Sequence, residues 1–549
     1  MSDYSPLSGP LGKIGLTARG MPTLVGNGFL RPVGPSKLLR IHKRYRKWGL
    51  TLTLAFGIGA VRHPERVAIV DDNGTLTYEQ LDLSSTRLAH GLRALGPPDG
   101  LRKIGLLCRN HRGVVATCIA AGKLGVDIVL LNTGLSGKQM SAVVEEQGVD
   151  LLVVDQDLLS LTTGCPPELR RVIAWSDGPD GSVDQYGYRL HTLDSAIGTA
   201  PGWALPAPER AGKTVMLTSG TTGIPKGALR PDPPSLAPVA AMLDALPLRA
   251  GEVMVIAPPL FHIMGFGHLQ LGAMLGQTLV LRRHFDAEQT LRDLAEQKAA
   301  VLVGTPLMLR RLLEVPPEIR AEHPAESLRV VSCGGSALPA MLAGRFMDAF
   351  GQVLYNLYGS TEVSWATIAT PRDLTRAPGT AGKPPSGTRV AVLGDSGSPV
   401  PTGKVGRVFV GNAMLFEGYT AGGRAESHRG LLRTGDLGYF DKDGRLFLCG
   451  REDDMIVSGG ENVFPQEVED VLSAHDHIRE AAVVGVPDVE YGQRFRAFVV
   501  PEPGRHLTVR QVLTYVQENL AKFSVPKEVV FLDALPRNAA GKILHRDLL

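Results

Sequence analysis

The sequence predicts an α/β protein with a large N-terminal domain of layered sheets and helices and a small α+β C-terminal domain. A chain of 549 residues is too long for one ordinary core, so at least two domains are expected. Short apolar runs, such as residues 104–107 and 151–154, alternate with stretches of helical spacing, which indicates parallel strands joined by helices. Near Thr402 the pattern changes to short strands and turns, and a compact α+β pattern follows Arg451.

The individual elements follow from periodicity and turn residues. Residues 67–70 and 75–77 are predicted as strands around the turn Asp72-Asn73-Gly74, and helical spacing begins at Tyr78 and runs to Leu95. Further strands are predicted at 104–107, 128–131, 151–154, 172–173, 253–256, 301–303, 330–331, 407–410, 445–448, 481–486, 495–500 and 529–532. Helices are predicted at 466–474 and 509–520. We therefore divide the chain into an N-terminal extension (1–60), a large domain (61–452) and a small domain (453–549).

Composition limits the classes of function. The net charge of +3 is small for this length and gives no sign of a nucleic-acid partner. The five cysteines are scattered without a CxxC pair, which favours reduced thiols in a cytoplasmic protein over a zinc site or a disulfide framework. No apolar run reaches 18 residues, so no transmembrane helix is expected.

The N-terminal extension contains one segment with two interpretations. Its first 35 or so residues are rich in Gly, Pro and Ser and are predicted to be irregular. Six basic residues then precede Trp48 and the apolar run 50–60; they are Lys37, Arg40, Lys43, Arg44, Arg46 and Lys47. Basic residues beside an apolar patch can hold a protein on an anionic membrane surface. The alternative is a helix packed on the body with a solvated basic face.

The strongest motif is LTSGTTGIPKG at residues 217–227, after a short apolar strand. Its three glycines free the backbone to fold closely around an anion, and its hydroxyl and N–H groups can donate to phosphate oxygens. Lys226 adds a positive charge. The motif differs from the GxxxxGK[ST] phosphate loop, and a plain surface loop is the alternative.

This loop resembles the signature of the adenylate-forming superfamily, and the resemblance extends from about Arg66 to the C-terminus. It favours the fatty-acid and acyl-CoA synthetase branch, which implies ATP, Mg²⁺, coenzyme A and a carboxylic acid as the small-molecule partners. Carried over residue by residue, the phosphate loop comprises Thr218, Ser219, Gly220, Thr221, Thr222, Gly223 and Lys226.

The family's second signature resembles YNLYGSTE at residues 355–362. The resemblance implies that Tyr358 stacks on adenine beside Gly359, that Thr361 contacts the α-phosphate, and that Glu362 binds Mg²⁺ together with Thr218. The adenine and acyl-pocket wall is implied at Gly334, Gly335 and Ser336.

Three later motifs complete the resemblance. Asp436 in TGD is implied as the ribose ligand, and Arg451 as a contact to the nucleotide. The resemblance further implies that the small domain is mobile about a hinge at Asp453 and that Gly459 and Gly460 leave a narrow channel for pantetheine. The last motif ends in Gly541-Lys542, which implies that Lys542 bridges the attacking carboxylate and the α-phosphate.

The sequence gives less information about which carboxylic acid is the substrate. His262 lies in the segment that resembles the carboxylate-binding wall, and it is a candidate to contact the carboxylate or to gate the thiol tunnel. No acidic residue stands at Phe261-His262 to pair with an amino-acid ammonium. Small residues (Gly265, Gly267, Gly272 and Gly304) suit a medium- or long-chain fatty acid. An aryl acid, transfer to a carrier protein and a homodimer remain open.

Overall fold

The computed structural model describes residues 20–177, 190–218, 225–423, 425–458, 461–488, 492–521, 524–539 and 541–548. Within these ranges the strands form four sheets. Two sheets have eight strands each, and two smaller sheets of five strands follow them along the chain. The chain is therefore an α/β protein with a large N-terminal and a small C-terminal domain, as the sequence predicted.

The first large sheet is mostly parallel, and its central strands are buried along their whole length. Strands covered by helices on both faces need no polar side, which explains their unbroken apolar runs. In spatial order the strands are Thr367–Ala369, Leu354–Tyr358, Val330–Gly334, Val301–Gly304, Val253–Ile256, Thr278–Leu281, Val67–Asp71 and Gly74–Thr77.

The second large sheet has the same character, with Leu151–Asp155 fully buried. Its strands, in spatial order, are Gly418–Tyr419, Lys226–Arg230, Thr214–Thr218, Asp127–Leu130, Lys103–Leu107, Leu151–Asp155, Arg170–Trp175 and His191–Thr192. Each strand predicted for the two large sheets is present, and its ends lie within three residues of the predicted ones. Strands that were not predicted, such as Thr278–Leu281 and Leu354–Tyr358, complete the sheets.

The two small sheets are built mainly from antiparallel pairs. The third sheet contains Arg389–Leu393, Gly406–Gly411, Leu431–Phe440, Ser427–His428 and Leu446–Arg451. A short 3₁₀ turn, Glu452–Asp454, separates it from the fourth sheet, which contains Glu461–Val463, Ile456–Ser458, Gly492–Pro501, Ile478–Asp488 and Glu528–Phe531. The hinge near Asp453 and the exact domain limits stay predictions.

The helices cover the faces of the sheets. Those with defined bounds are Pro35–Trp48, Leu52–Arg62, Tyr78–Leu95, Arg112–Leu124, Gly137–Gln147, Leu193–Gly198, Ala237–Ala245, Ile263–Met274, Ala287–Glu296, Pro306–Glu314, Pro317–Glu322, Ala340–Phe350, Pro371–Arg376, Pro465–Ser473 and Val509–Asn519. Residues 20–26 are also helical, so the prediction of irregular chain there was wrong. Leu24 is fully buried, and this apolar contact outweighs the Gly- and Pro-rich composition.

The N-terminal extension packs on the large domain. Helix Leu52–Arg62 is almost entirely buried, and its Phe56 belongs to the same apolar cluster as the core strands of both large sheets. Helix Pro35–Trp48 has no buried residue and lies on the surface. Across the described part of the chain, no helix combines the length and apolar character needed to cross a bilayer.

Candidate active site

The predicted site lies at one edge of the first sheet. Four neighbouring parallel strands end there, at Ile256, Gly304, Gly334 and Tyr358. Carboxyl ends of parallel strands meet at a single edge, which is where open α/β sheets bind ligands. The topology therefore brings together candidates that are up to a hundred residues apart in the sequence.

The segments that follow these four strands carry His262, Thr305, Gly335 and Gly359 in turn. Gly335 and Gly359 both line one apolar cavity. Gly334 is the last residue of its strand and pairs with the strand that ends at Tyr358. Ser336 is exposed beside Gly335.

Asp436 contacts two other predicted nucleotide residues, Tyr358 and Arg451. The Tyr358 hydroxyl donates to Asp436 Oδ2 at 2.5 Å, and Arg451 Nη1 lies 3.7 Å from Asp436 Oδ1. Burial raises the pKa of the Asp436 carboxyl, whereas Tyr358, Arg451 and Lys542 oppose that rise. Gly435 has φ +81°, and a Cβ there would come within 2.8 Å of Arg451, so this position in strand Leu431–Phe440 requires glycine.

Lys542 reaches the site on a loop of the small domain. Its charge acts on Asp436, and its backbone N–H donates to Asn538 Oδ1 at 2.9 Å. Gly541 has φ +81°, and a Cβ there would lie 2.9 Å from Leu307 of the large domain. The loop is therefore seated closely against the large domain with Lys542 beside the predicted ribose ligand.

Ion pairs hold the two domains in this arrangement. Glu480 of the small domain accepts from Arg537 at 2.8 Å and pairs with Arg310 of the large domain at 2.7 Å. Arg479 pairs with Glu314 at 2.8 Å. Both large-domain partners lie on the helix that begins directly after Thr305, so the interface and the site share one element.

Glu362 carries the only carboxylate of the second signature and has hydroxyl partners on both oxygens. Ser360 Oγ donates to Oε2 at 2.9 Å, and the Tyr419 hydroxyl donates to Oε1 at 3.1 Å. Burial and the Glu362 charge raise the pKa of Tyr419 to about 12. Lys226 Nζ lies 5.7 Å from the centre of the Tyr419 ring. A carboxylate among hydroxyls is a donor set that fits Mg²⁺.

The two ends of the phosphate loop are held as a β-hairpin. Thr218 and Lys226 are paired across antiparallel strands, and Thr218 Oγ1 donates to the Lys226 carbonyl at 3.4 Å. The candidates Ser219, Gly220, Thr221, Thr222 and Gly223 lie outside the described residues, as do Gly459 and Gly460.

Two buried polar atoms near the site have no hydrogen-bond partner among the described residues: His262 Nε2 and Thr305 Oγ1. Burial lowers the pKa of His262 to about 4, so its imidazole is neutral at pH 7. A Cβ at Gly541 would lie 3.7 Å from Thr305 Oγ1. Buried polar groups are normally satisfied, so both atoms are available to a bound molecule.

Comparisons with known proteins identify the family of the chain. A family model described as AMP-binding enzyme matches residues 58–420, and the model for its C-terminal domain matches residues 467–542. The chain belongs to the AMP-binding enzyme family. This is the adenylate-forming superfamily that the sequence motifs indicated.

Individual relatives define the reaction class. A feruloyl-CoA synthase from Amycolatopsis sp. is 32% identical over 497 residues, which cover 88% of this chain and 96% of that protein. A fatty acid–[acyl-carrier-protein] ligase from Streptomyces coeruleorubidus is 31% identical over 518 residues, with 91% and 96% covered. The structure of o-succinylbenzoate CoA synthetase from Bacillus subtilis with ATP and magnesium has a TM-score of 0.75 and 28% identity, covering 90% of this chain and 98% of that one. The chain is accordingly an AMP-forming acid–CoA ligase that uses ATP, Mg²⁺ and CoA.

A cavity of about 120 Å³ borders the candidate site at Gly335 and Gly359. Its walls come from helices Ala237–Ala245 and Ile263–Met274 and from the start of helix Leu52–Arg62. Its lining residues are Leu50, Thr51, Leu52, Ala55, Arg230, Pro233, Pro238, Val239, Met242, Ile263, Met264, Gly267, His268, Gln270, Leu271, Met274, Gly335, Leu357, Gly359, Ser364, Trp365 and Met414. Of the four glycines proposed as acyl-pocket lining, only Gly267 is among them. Gly265 instead packs against Pro258 and Pro259, and Gly272 packs against Leu279.

Sequence reasoning missed Arg230, which is buried behind the Glu362 turn. Its guanidinium donates to the Thr361 carbonyl, to Ser364 Oγ and, at 3.3 Å, to the Met414 carbonyl. Burial lowers the pKa of Arg230 to about 10, and the Glu362 charge opposes this effect. Arg230 thus supports the turn that presents Thr361 and Glu362. The available signal was a single charge at the end of a buried apolar strand.

Proposed function

We propose that this ligase activates a medium- or long-chain fatty acid as its acyl-adenylate and transfers the acyl group to CoA. The observation that carries the proposal is the cavity, which joins Gly335 and Gly359 of the site to apolar residues of three helices. No acidic side chain lines it among the described residues. An aliphatic chain needs such apolar walls, whereas an amino acid would need a carboxylate for its ammonium group.

The first half-reaction requires that two anions meet, because the substrate carboxylate attacks the α-phosphorus of ATP as pyrophosphate leaves. Catalysis is then mainly positioning and neutralisation of charge. We assign the positive charges to Lys226 and Lys542, and the ribose hydroxyls to Asp436. When bound at Glu362 with Thr218, Mg²⁺ supplies further charge neutralisation at the phosphates. No protein nucleophile is needed.

The unpartnered atoms His262 Nε2 and Thr305 Oγ1 are the proposed contacts of the reacting groups. Because His262 is neutral, it can donate one hydrogen bond to a carboxylate oxygen without forming an ion pair. A neutral donor holds the carboxylate in place by a hydrogen bond and does not neutralise its charge, so the carboxylate stays nucleophilic. His262 is therefore proposed to orient the acid.

The second half-reaction needs space for the CoA thiol where Lys542 now lies. We propose that the small domain turns about Asp453, which withdraws Lys542 and brings Gly459 and Gly460 to the pantetheine channel. The bridges Glu480–Arg310 and Arg479–Glu314 would have to break in that motion.

Two alternatives rest on the relatives. The feruloyl-CoA synthase favours an aryl acid, for which Trp365 and His268 in the cavity wall offer ring contacts. The carrier-protein ligase favours transfer to a carrier thiol in place of free CoA. A homodimer and a cytoplasmic location stay predictions, and a peripheral membrane contact of the N-terminal helix is a proposal.

The test is thioester formation that depends on ATP, Mg²⁺ and CoA, measured across saturated acids of graded length and across ferulate and other aryl acids. We expect CoA thioesters from aliphatic acids, with a maximum at medium or long chains. Adenylate without CoA thioester would support the carrier-protein alternative. Turnover of aryl acids alone would support the aryl alternative, and no pyrophosphate from any acid would refute adenylation.

A further inference from the structure

Exposed apolar side chains are concentrated in the N-terminal extension. Ten large apolar side chains are exposed in the described part of the chain, and five of them lie within residues 20–48. These five are Met21, Val25, Leu38, Leu39 and Tyr45. Exposed apolar groups gathered in one short segment mark an interaction surface more strongly than the same number scattered over the protein.

Positive charge is concentrated in the same part of the chain, near the N-terminus. Residues 4–64 contain ten Lys and Arg residues and no Asp or Glu. Of the 58 basic residues, this leaves 48 in the rest of the chain, against 55 acidic residues. The small net charge of the whole chain is thus the sum of a positive segment, residues 4–64, and a negative remainder, which we call the body. An anionic surface attracts the segment and repels the body, which selects one orientation.

The basic residues of helix Pro35–Trp48 form two groups, one in contact with the rest of the protein and one exposed. In the first group, Arg44 pairs with Asp82 at 2.7 Å, Lys47 Nζ donates to the Leu205 carbonyl at 2.6 Å, and Lys37 Nζ donates to the Arg62 carbonyl at 3.0 Å. These contacts fix the helix on the body.

The exposed surface of that helix carries both cations and apolar groups. Arg40, Lys43 and Arg46 are exposed and have no hydrogen bond or ion pair with the described residues. Leu38 and Tyr45 are 58% and 49% exposed and lie two helical turns apart, hence on one face. Apolar side chains with flanking cations are typical of helices that lie in a membrane interface.

Two neighbouring features fit the same surface. Trp203 is 70% exposed and lies two residues from Leu205, which accepts from Lys47. Tryptophan is enriched at the headgroup level of membranes. Directly after the helix, Leu50, Leu52 and Ala55 line the acyl cavity. The surface helix and the far wall of the cavity are thus one continuous segment.

We propose that helix Pro35–Trp48 docks this enzyme on an anionic membrane surface. Arg40, Lys43 and Arg46 contact the lipid headgroups, and Leu38, Leu39 and Tyr45 enter the interface. One consequence rests on the proposed fatty-acid function. Docking brings the cavity wall at Leu50–Ala55 close to the lipid, in which such an acid dissolves. A single basic or apolar contact holds a protein weakly, and here both kinds act together.

The binding test is co-sedimentation of the full chain with phosphatidylcholine vesicles, with or without about a third phosphatidylglycerol, at low and high salt. We expect binding to the anionic vesicles only, with release by salt. Combined Arg40→Gln, Lys43→Gln and Arg46→Gln changes should weaken binding by tenfold or more. The matched control removes three exposed charges elsewhere, through Arg372→Gln, Lys404→Gln and Lys442→Gln, and should bind as the wild type does.

The apolar contribution has its own pair of variants. Leu38→Ser with Leu39→Ser should reduce binding severalfold, whereas Met341→Ser with Val405→Ser, at exposed sites outside the segment, should not. Wild-type protein that stays in solution with anionic vesicles would overturn the proposal. So would equal binding by the Arg40, Lys43 and Arg46 variant, or self-association in sedimentation velocity that the Leu38 and Leu39 changes abolish.

An activity measurement separates this proposal from the choice of substrate. With dodecanoate presented in anionic vesicles, the Arg40, Lys43 and Arg46 variant should form thioester several times more slowly than the wild type, and with soluble hexanoate the two should be equal. If neither acid is a substrate, the proposed fatty-acid function is wrong. The docking proposal is then decided by the vesicle co-sedimentation alone. Equal rates with vesicle-borne acid would contradict entry of the acid from the membrane side.

Discussion

The proposed adenylation centre and the proposed acyl cavity meet at Gly335 and Gly359, yet they are built in opposite ways. The centre joins charged and hydroxyl groups from both domains, such as Glu362, Asp436 and Lys542. The cavity joins apolar residues of the large domain and the N-terminal extension, with Arg230 as the one charged side chain among the described residues that line it. Phosphate chemistry demands particular residue types, whereas an alkyl chain demands only a shape.

That difference predicts how the two regions respond to substitution. A change in the centre should affect the reaction for every acid, because the groups act on the phosphate and the carboxylate. A change in the cavity should alter the choice of acid and leave adenylation of short acids intact. The strongest test of this division is at Lys542.

Replacing Lys542 with alanine should reduce acid-dependent pyrophosphate release roughly 10²–10³-fold for all acids, because a charge that stabilises the transition state is lost. Thioester formation from supplied acyl-adenylate and CoA should change little. Lys404→Ala, at an exposed site, is the control for loss of a lysine. Equal losses in both half-reactions would contradict the proposal that Lys542 acts in adenylation and is withdrawn for transfer to CoA.

In the cavity, Gly267→Leu should shorten the space for the chain. A Cβ at Gly267 meets nothing within 4 Å, so the new side chain points into open space. Since each methylene contact is worth about 1–3 kcal/mol, kcat/KM for dodecanoate should fall at least tenfold while that for butanoate is kept. Gly344→Leu, in helix Ala340–Phe350, is matched because a Cβ at Gly344 also meets open space. A uniform loss over all chain lengths would contradict the assignment of the cavity.

A third prediction concerns pH and His268 in the cavity wall. His268 lies within hydrogen-bond distance of the Met264 carbonyl and Ser332 Oγ, and burial lowers its pKa to about 4. Between about pH 6.5 and 4 the unfolded chain takes up a proton that the folded chain does not, so stability falls as the pH falls. Between pH 7 and pH 5, the melting temperature of the His268→Gln variant should fall less than that of the wild type. His506→Gln, at an exposed site, should melt like the wild type, and an identical pH dependence in all three proteins would contradict the neutral buried imidazole.

The smallest expected effect is at the domain interface. Arg479→Gln removes the partly exposed bridge to Glu314 and should slow pyrophosphate release roughly two- to fivefold, because such pairs contribute about 0.2–1 kcal/mol. Transfer to CoA should be unchanged or faster. Arg496→Gln breaks a pair of similar exposure inside the small domain, with Glu528, and should affect neither step. If both variants slow both steps, the interface does not bias the conformation.

The same contrast explains what the sequence could and could not predict. Strong periodicity defined the buried strands, and the chemistry of phosphate binding made residues such as Glu362 and Asp436 stand out. Arg230 and Tyr419 were missed because their roles depend on contacts with residues far away in the chain. The N-terminal wall of the cavity was missed for the same reason, since Leu52 and Ala55 are ordinary apolar residues until the fold places them beside Gly267.

The central claim is that the cavity selects an aliphatic chain. The most direct measurement is a competition in which dodecanoate and ferulate, at equal concentration, share one limiting sample of enzyme with ATP, Mg²⁺ and CoA. The ratio of the two CoA thioesters gives the ratio of their kcat/KM values. We predict that dodecanoyl-CoA dominates by more than tenfold, and a mixture dominated by feruloyl-CoA would contradict the account.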